Sequence, residues 1–290
     1  MESIIFTTSS DKVLTIGDLL QNELFECISV AAKDTQTTPN QDSKISLFQS
    51  ILFAVKGKST FGFRLSYENS KYQLSISELA TPSDWTGALM FLKMLLVILE
   101  VNTVQSQGKT FTHDSILDYH FTSVLLKAIG KLVKELQVHS GVQLSGIRRP
   151  IFINQNYFGQ IINVPDDQLL LDSYDKRLGL TQQINAYFSE QQVFKIEQNN
   201  DEFILPVNYL NSEALTVLPA IPELTIQHQQ QYQGKKMLTP RLFIMDAKGK
   251  KLADIGYEEF LASLTDGIFM VDAKSVAVKP LSKEKLKNLQ

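Results

Sequence analysis

The residues best suited to chemistry in this chain are two histidines that lie close to carboxylates. His113 and His120 are seven positions apart and enclose Asp114 and Asp118. On one helix this spacing would place both imidazoles on the same face, where they could bind a metal ion. Asp114 or Ser115 is also a suitable helix cap, which would leave His113 outside the helix. No compact two-histidine motif occurs, so we expect the start of an ordinary helix and no metal site.

The densest group of carboxylates is formed by Asp166, Asp167, Asp172 and Asp175. Paired carboxylates can serve as general acid and base. However, Pro165 followed by two aspartates is also typical of a helix N-terminus, where carboxylates meet free N–H groups. The spacing matches no calcium-binding loop. We therefore expect helix capping here in preference to catalysis.

Residues 57–60 (Gly-Lys-Ser-Thr) have the composition with which a phosphate-binding loop ends. The full motif needs a glycine five positions before Gly57, where this chain has Leu52, and it needs a helix after the loop. Phe61 instead begins an alternating, strand-like stretch. The segment is therefore predicted to be a hairpin turn. No dinucleotide fingerprint or nucleophile elbow occurs either, and the sequence predicts no cofactor.

Three arginines and one tryptophan are the candidate binding residues. Arg148 and Arg149 precede Pro150, and paired guanidinium groups suit bidentate recognition of a carboxylate or another anion. The alternative is a strand end whose arginines are solvated or ion-paired. Arg64, in an alternating stretch, belongs to the same candidate region. Trp85 could line a ligand pocket, or it could anchor the start of a buried helix.

The most strongly marked element is a helix over residues 82–100. Thr81 is a suitable cap, Pro82 suits the first helical position, and Asp84 lies where a carboxylate meets free N–H groups. Apolar residues then cover almost the whole circumference, which is typical of a central core helix or a membrane span. Spanning takes about 20 apolar residues, and Lys93 interrupts a shorter run. We therefore expect a nearly fully buried core helix.

Strict alternation of apolar and polar residues predicts two antiparallel meanders, each with one wet face. The first covers residues 51–55, 61–67 and 72–76, and the second covers 193–197, 203–207 and 214–218. Strands in clusters followed by helices favour an α+β fold over an alternating parallel sheet. Each half, 1–145 and 146–290, has its own meander. The chain therefore has either two α+β domains or one continuous domain.

The remaining elements are predicted from periodicity and caps. Helices are expected over residues 15–25, 115–136 and 169–188, with Gly179 as a candidate break in the last. The glutamine-rich tract 227–234 is expected to be a loop. The C-terminal part is expected to alternate between short strands (241–245, 269–271, 276–278) and helices (257–264, 282–289).

Composition limits the classes of function. The chain has 290 residues, 43% of them hydrophobic and 20% charged, and a net charge of −3. These values are typical of a globular protein and provide no general attraction to nucleic acid or to an anionic membrane. The single cysteine, Cys27, can form neither an internal disulfide nor a thiolate metal site, and the N-terminus lacks the pattern of a signal peptide. We therefore expect a cytoplasmic protein with no nucleic-acid or membrane partner.

Several short patterns are distributed along the whole chain. They are residues 62–67 (Gly-Phe-Arg-Leu-Ser-Tyr), 81–85 (Thr-Pro-Ser-Asp-Trp) with 88–89, 146–150 (Gly-Ile-Arg-Arg-Pro), 186–188, 216–219 and 272–273. Together they resemble an uncharacterised family of bacterial proteins of about this length, described as a domain of unknown function. The resemblance implies a full-length relationship, and it supplies no activity, cofactor or catalytic residue.

The sequence favours a non-catalytic bacterial binding or interaction protein, of which a regulatory or immunity-type inhibitor is one version. Meanders offer strand edges and wet faces that receive protein or peptide partners. A partner would meet the region of Arg64 and Arg148–Arg149. The alternative is a hydrolase or transferase whose site is assembled from distant residues, with His113 or His120 acting beside Asp84 or the Asp166 cluster.

Overall fold

The computed structural model describes residues 2–33, 38–198, 201–264 and 266–288. Contacts between Cα atoms divide the chain into two compact units, Met1–Gln183 and Ile184–Gln290. The boundary considered from the sequence, after residue 145, lies inside the first unit. The fold class is α+β, as the clustering of strands predicts.

The first unit is built on a seven-stranded antiparallel sheet in the order β2-β3-β4-β5-β1-β6-β7. Its strands are β1 (Ser3–Ser9), β2 (Phe25–Ala32), β3 (Phe48–Val55), β4 (Phe63–Glu68), β5 (Lys71–Ser77), β6 (Thr103–Ser106) and β7 (Lys109–Thr112). Side chains along β4 and β5 alternate between buried and exposed. The predicted first meander is therefore confirmed, with one dry and one wet face.

Helix α2 (Pro82–Leu99) supplies the dry face with its packing partner. Thr81 caps the helix and forms a capping box with Asp84. Phe91 packs against Phe25, Phe53 and Phe63 of the sheet, with ring centroids 4.9–5.2 Å apart. By length and composition alone α2 could cross a membrane, but more than half of it is buried inside the structure. It packs as the core helix of this unit.

The other helices of the first unit are α1 (Ile16–Leu19), α3 (Phe121–Val138), α4 (Gln155–Ile162) and α5 (Asp167–Gln183). Short 3₁₀ turns cover Ile45–Leu47 and Ile116–Asp118. Strands β8 (Val142–Ser145) and β9 (Pro150–Ile153) form a separate hairpin. Gly179 lies inside α5 and does not break it.

The second unit contains two sheets. One has the order β10-β13-β18-β17, and the other has the order β11-β12-β15-β16 with β14 beside β12. The strands are β10 (Tyr187–Phe188), β11 (Gln191–Gln198), β12 (Asp201–Asn211), β13 (Thr216–Pro219), β14 (Lys236–Met237), β15 (Arg241–Met245), β16 (Lys251–Gly256), β17 (Ile268–Asp272) and β18 (Ser275–Val278). Its helices are α6 (Ile226–Gln231), α7 (Tyr257–Ser263) and α8 (Lys283–Asn288). Leu210, Leu242, Tyr257 and Phe260 belong to its core.

Four predictions about elements are wrong. The helix predicted over residues 169–188 ends at Gln183, and Tyr187–Phe188 form strand β10. The first helix ends at Leu19, and the chain enters strand β2 at Phe25. The third strand of the second meander, β13, pairs with β10 and β18, while β12 pairs in parallel with β15. The glutamine-rich tract contains helix α6, because the Thr225 hydroxyl accepts a hydrogen bond from the backbone N–H of His228 and caps it.

Candidate functional site

The carboxylate of Asp84 is fully buried at the start of α2. Its Oδ1 accepts a hydrogen bond from the backbone N–H of Gly62 at 2.8 Å, and its Oδ2 accepts one from Phe61 at 3.0 Å. Thr60 donates its N–H to the same carboxylate, and Thr81 donates both its N–H and its hydroxyl. The turn between β3 and β4 is thereby fastened to the helix.

Burial raises the pKa of Asp84, and hydrogen bonds from Phe61, Gly62, Ser59 and Thr81 act in the opposite direction. Both carboxylate oxygens are occupied by donors and neither reaches the surface. Asp84 therefore joins structural elements, and in this conformation it is closed to a substrate.

Loop 146–149, which contains the two adjacent arginines, packs on the same turn. The N–H of Ile147 donates to the carbonyl oxygen of Thr60 at 2.9 Å. The buried side chain of Gln182 in α5 holds the loop from the other side: its Oε1 accepts from the N–H groups of Arg148 and Arg149, and its Nε2 donates to the carbonyl oxygen of Arg149. The loop is therefore fixed on one side by the turn between β3 and β4 and on the other by α5.

The candidate arginines have different roles in this arrangement. The Nε of Arg149 donates to the carbonyl oxygen of Thr181, which ties that side chain to the end of α5. Arg148 is exposed, and its guanidinium makes no hydrogen bond or ion pair within the described part of the chain. Arg64 is also exposed, on the wet face of the sheet between Leu52 and Ser75 of the neighbouring strands. Arg148 and Arg64 are thus the two members available to a partner.

Trp85 lies in the core. Its ring stacks with those of Tyr119 and Phe121, whose centroids are 5.8 Å and 5.7 Å away at interplanar angles of 14° and 6°. The side chain has no solvent exposure, and its Nε1 has no hydrogen-bond partner among the described residues. Trp85 is positioned as the anchor of α2, and it does not line an open pocket.

The candidate histidines and acidic residues lie at the surface or form contacts at the ends of helices. His113 Nδ1 lies 3.0 Å from Oδ1 of its neighbour Asp114, whose side chain is 91% exposed. His120 is the exposed residue that precedes α3. Asp166 caps α5 through the N–H of Leu169, and Asp175 accepts hydrogen bonds from the N–H and hydroxyl of Ser83. Over the described ranges no group of three or more His, Cys, Asp or Glu residues is arranged to hold a metal ion.

A groove between α3 and α4 in the first unit has a volume of about 720 Å³. Its apolar wall is formed by Val133, Leu136, Phe158 and Ile162. Five carboxamide side chains and one glycine complete the lining: Gln137, Gln155, Asn156, Gln160, Asn163 and Gly159. We call this feature the α3/α4 groove.

The chemistry of the α3/α4 groove is set by its amides. None of its lining residues carries a charge or a side chain that titrates near neutral pH. The five carboxamides make no side-chain hydrogen bond within the described residues, so their donors and acceptors face solvent. The groove can therefore bind neutral polar groups, and it holds no residue that could act as nucleophile, acid or base.

Sequence reasoning did not single out this groove. The signal was present as four carboxamides within residues 155–163, beside the amphipathic helix that became α3. Amides carry no charge pattern and match no catalytic motif, so nothing in the one-dimensional pattern distinguishes them from an ordinary solvated helix face. Their convergence on an apolar wall is visible only once α3 and α4 are packed together.

The fold and this groove define an α+β protein whose antiparallel sheet is covered by a buried helix. The chain belongs to the family described as Domain of unknown function (DUF4299), whose model matches residues 3–289. The expected full-length family relationship is thereby confirmed. No curated protein and no solved structure is significantly similar to this chain.

Proposed function

We propose that this protein is a non-catalytic binding protein that receives an extended, uncharged peptide segment of a partner in the α3/α4 groove. The observation that carries the proposal is the composition of the groove: an apolar wall, five unpaired carboxamides, and no titratable side chain. A regulatory or immunity-type role in the bacterial cytoplasm is one setting for such a protein. The low cysteine content, with Cys27 half-buried and its pKa raised by burial, supports a reducing compartment.

The carboxamides determine which ligand fits. Each carboxamide offers two N–H donors and a carbonyl acceptor, which is the complement of a peptide bond. An extended chain exposes its peptide groups at regular spacing and leaves alternate side chains to enter an apolar wall. A charged ligand would lose hydration without gaining a counter-charge, because no lining residue is ionised. The groove therefore selects neutral, partly apolar segments.

Arg148 supplies a second contact in this proposal. Its guanidinium is exposed on a loop that Gln182 holds in place, so an acidic residue outside the groove-binding segment could pair with it. Arg64 on the wet face of the sheet is the other candidate, as the sequence suggested. These arginines would add affinity, while the groove would select the segment.

A groove-filling variant tests the proposal. Gly159 lines the groove, and a Cβ built there meets only Asn163 at 3.6 Å, so Gly159→Arg should fold while it fills and charges the groove. Gly130→Arg on α3 is the matched control, since nothing lies within 4 Å of a Cβ there and Gly130 does not line the groove. The probe is a displayed library of random linear peptides, selected against the wild-type chain.

We expect selected peptides to be poor in charged residues, to bind the wild type and Gly130→Arg equally, and to lose about tenfold or more in affinity for Gly159→Arg. Peptides recovered after long incubation should be intact by mass spectrometry. Selection of peptides that bind Gly159→Arg as tightly as wild type, or selection of none, contradicts the proposal.

One observation favours the rival function, a hydrolase or transferase. A second hollow of about 600 Å³ is lined by Leu96, Val97, Val101, His113 and Asp114, so an imidazole contacts a carboxylate beside an apolar wall. Against it, Asp114 is almost fully exposed, and Asp84 is enclosed by its own donors. The rival predicts turnover of activated esters or phosphates that His113→Ala abolishes, whereas the binding proposal predicts no turnover by either chain.

A further inference from the structure

Strand β11 is an edge strand of the second unit, and the side chain of its first residue, Gln191, is bonded to segment 223–228. All eight of its residues pair with β12 in antiparallel register, and within the described residues no strand pairs with its other side. Phe194, in the middle of the strand, is 41% exposed. A long edge with free N–H and C=O groups is a template for another strand, and proteins usually shield such edges. The composition of β11 indicates which strand would fit.

A carboxylate on β11 lacks a counter-charge. Glu197 lies directly opposite Glu202 of β12, and like charges in that position repel. Glu202 is compensated by Lys195 at 3.6 Å and Lys235 at 2.6 Å, which lower its pKa. Glu197 forms no ion pair with any residue that the structure describes. A lysine arriving along the open edge would relieve this repulsion.

The sequence of β11 supplies that lysine when the strand pairs with itself. Consider an antiparallel pair of β11 strands related by a two-fold axis at Ile196. A residue that lies a given number of positions before Ile196 then faces the residue of the other copy that lies the same number of positions after it. Ile196 then faces its own copy, Lys195 faces Glu197 twice, and Phe194 faces Gln198 twice. Lys195 and Glu197 point to one face of the sheet, and Phe194, Ile196 and Gln198 point to the opposite face. Facing residues of the two copies therefore lie on the same face of the joined sheet.

Neighbouring registers are less favourable. An axis at Lys195 would place the two lysines directly opposite each other. An axis at Phe194 would place Lys195 opposite Val193 and leave Glu197 opposite Gln191, whose side chain is already bonded to the backbone N–H of Thr225. Only the axis at Ile196 pairs both charges of the strand with opposite charges.

We propose that β11 is a self-recognition strand, through which two copies of this chain associate edge to edge in antiparallel register about Ile196. The association is isologous, because the same patch serves on both partners. One strand pair buries less surface than a permanent interface needs, so the dimer is expected to be weak and concentration-dependent. This inference does not depend on the α3/α4 groove.

Charge exchange tests the pairing. Lys195→Glu gives a strand with two acidic residues at these positions, and Glu197→Lys gives one with two lysines; each should repel its own copy. Sedimentation velocity over a series from ~10 µM to ~1 mM should show the wild type associating and each variant weakened by about tenfold or more. An equimolar mixture of the two variants should recover the association, since every facing pair is then opposite in charge.

Cross-linking tests the register in a Cys27→Ser background. Cysteines at Ile196→Cys would face each other about 5 Å apart between Cα atoms and should oxidise to a linked dimer. Cysteines at Phe194→Cys would lie more than about 12 Å apart and should not. A wild type that stays monomeric across the series, a mixture that stays monomeric, or linkage at 194 in place of 196 overturns the proposal. Unchanged circular dichroism of each variant shows that the hairpin still folds.

Discussion

The backbone N–H of Gly62 donates a 2.8 Å hydrogen bond to the buried carboxylate oxygen Oδ1 of Asp84. Gly62 has a φ of 67°, in the left-handed region, and a Cβ there would lie 2.4 Å from the carbonyl oxygen of Phe53. The turn therefore needs glycine for both its dihedral and its space. The start of α2, the beginning of β4 and loop 146–149 all depend on this junction.

Gly62→Ala should destabilise the protein by about 3 kcal/mol or more, since the left-handed strain adds to a clash with backbone. Gly57→Ala is the matched control: its φ is 66°, but nothing lies within 4 Å of a Cβ there. The control should cost only about 1 kcal/mol. Urea unfolding followed by circular dichroism measures both, and equal losses would contradict the steric account.

Asp84→Ala should cost about 3 kcal/mol or more, because several buried donors lose their acceptor at once. Asp175→Ala is the control, because Asp175 in α5 also accepts hydrogen bonds from the start of α2. Its carboxylate is only partly buried and, among the residues that the structure describes, accepts hydrogen bonds from Ser83 alone, so about 1 kcal/mol is expected. Similar unfolding free energies for the two variants would show that Asp84 does not hold the junction together.

The stability contributed by Asp84 should depend on pH. Burial raises the native pKa of Asp84 above its ordinary value of 3.8, so the native state holds this proton more tightly than the unfolded chain does. The linked stabilisation is complete below pH 3.8 and is lost as the pH rises through the native pKa. The difference in unfolding free energy between wild type and Asp84→Ala should therefore shrink with rising pH over that window. A difference that grows with pH would mean that the native pKa is lowered.

Gln182→Ala should release the arginine loop. The side chain makes three hydrogen bonds to the backbone of Arg148 and Arg149, and their loss should cost about 1–3 kcal/mol. Amide hydrogen exchange of loop 146–149 should accelerate as well. The adjacent exposed residue offers a control, since Gln183→Ala should change neither quantity. Unaltered exchange in Gln182→Ala would mean that the loop is held by other contacts.

Substitution of the two adjacent arginines should affect stability differently. Arg149→Glu should lower stability, because its Nε bond to the Thr181 carbonyl is lost. Arg148→Glu should leave the unfolding free energy within about 0.5 kcal/mol of wild type, as expected for an exposed side chain. Only Arg148→Glu is thus a clean probe of partner affinity. Unchanged affinity of Arg148→Glu for an identified partner protein rejects Arg148 as a contact.

Elements with strong local signals were predictable from the sequence. The capping box of Thr81 and Asp84, and the alternation along β4 and β5, specify local structure that tertiary packing reinforces. Elements decided by distant contacts were not predictable. Gly179 stays helical in α5, where the helix packs closely against the turn between β3 and β4: a Cβ built at Gly179 would lie 3.8 Å from the hydroxyl of Thr60. Strand β13 does not continue the meander. It pairs with β10 and β18, which are distant in the sequence, and no local pattern indicates that pairing.

In the candidate site, too, residue type was predictable from the sequence, whereas contacts between distant segments were not. Arg148 and Arg64 were identified from residue type, and both are exposed. Trp85 was ambiguous between pocket and anchor, because a tryptophan at a helix start suits both; its stacking partners Tyr119 and Phe121 come from a segment more than 30 residues further on. The α3/α4 groove depends on two helices separated by the β8–β9 hairpin. No local pattern can show that their amides converge.

Binding of a neutral peptide in the α3/α4 groove, as proposed, would be reported directly by the side-chain amides that line it. In a ¹⁵N-labelled sample, the NH₂ resonances of Gln137, Gln155, Asn156, Gln160 and Asn163 should shift together when a selected peptide is added. In Gly159→Arg the same addition should leave them in place. If the peptide binds the wild type while these five resonances stay fixed and others move, the groove is not the binding site.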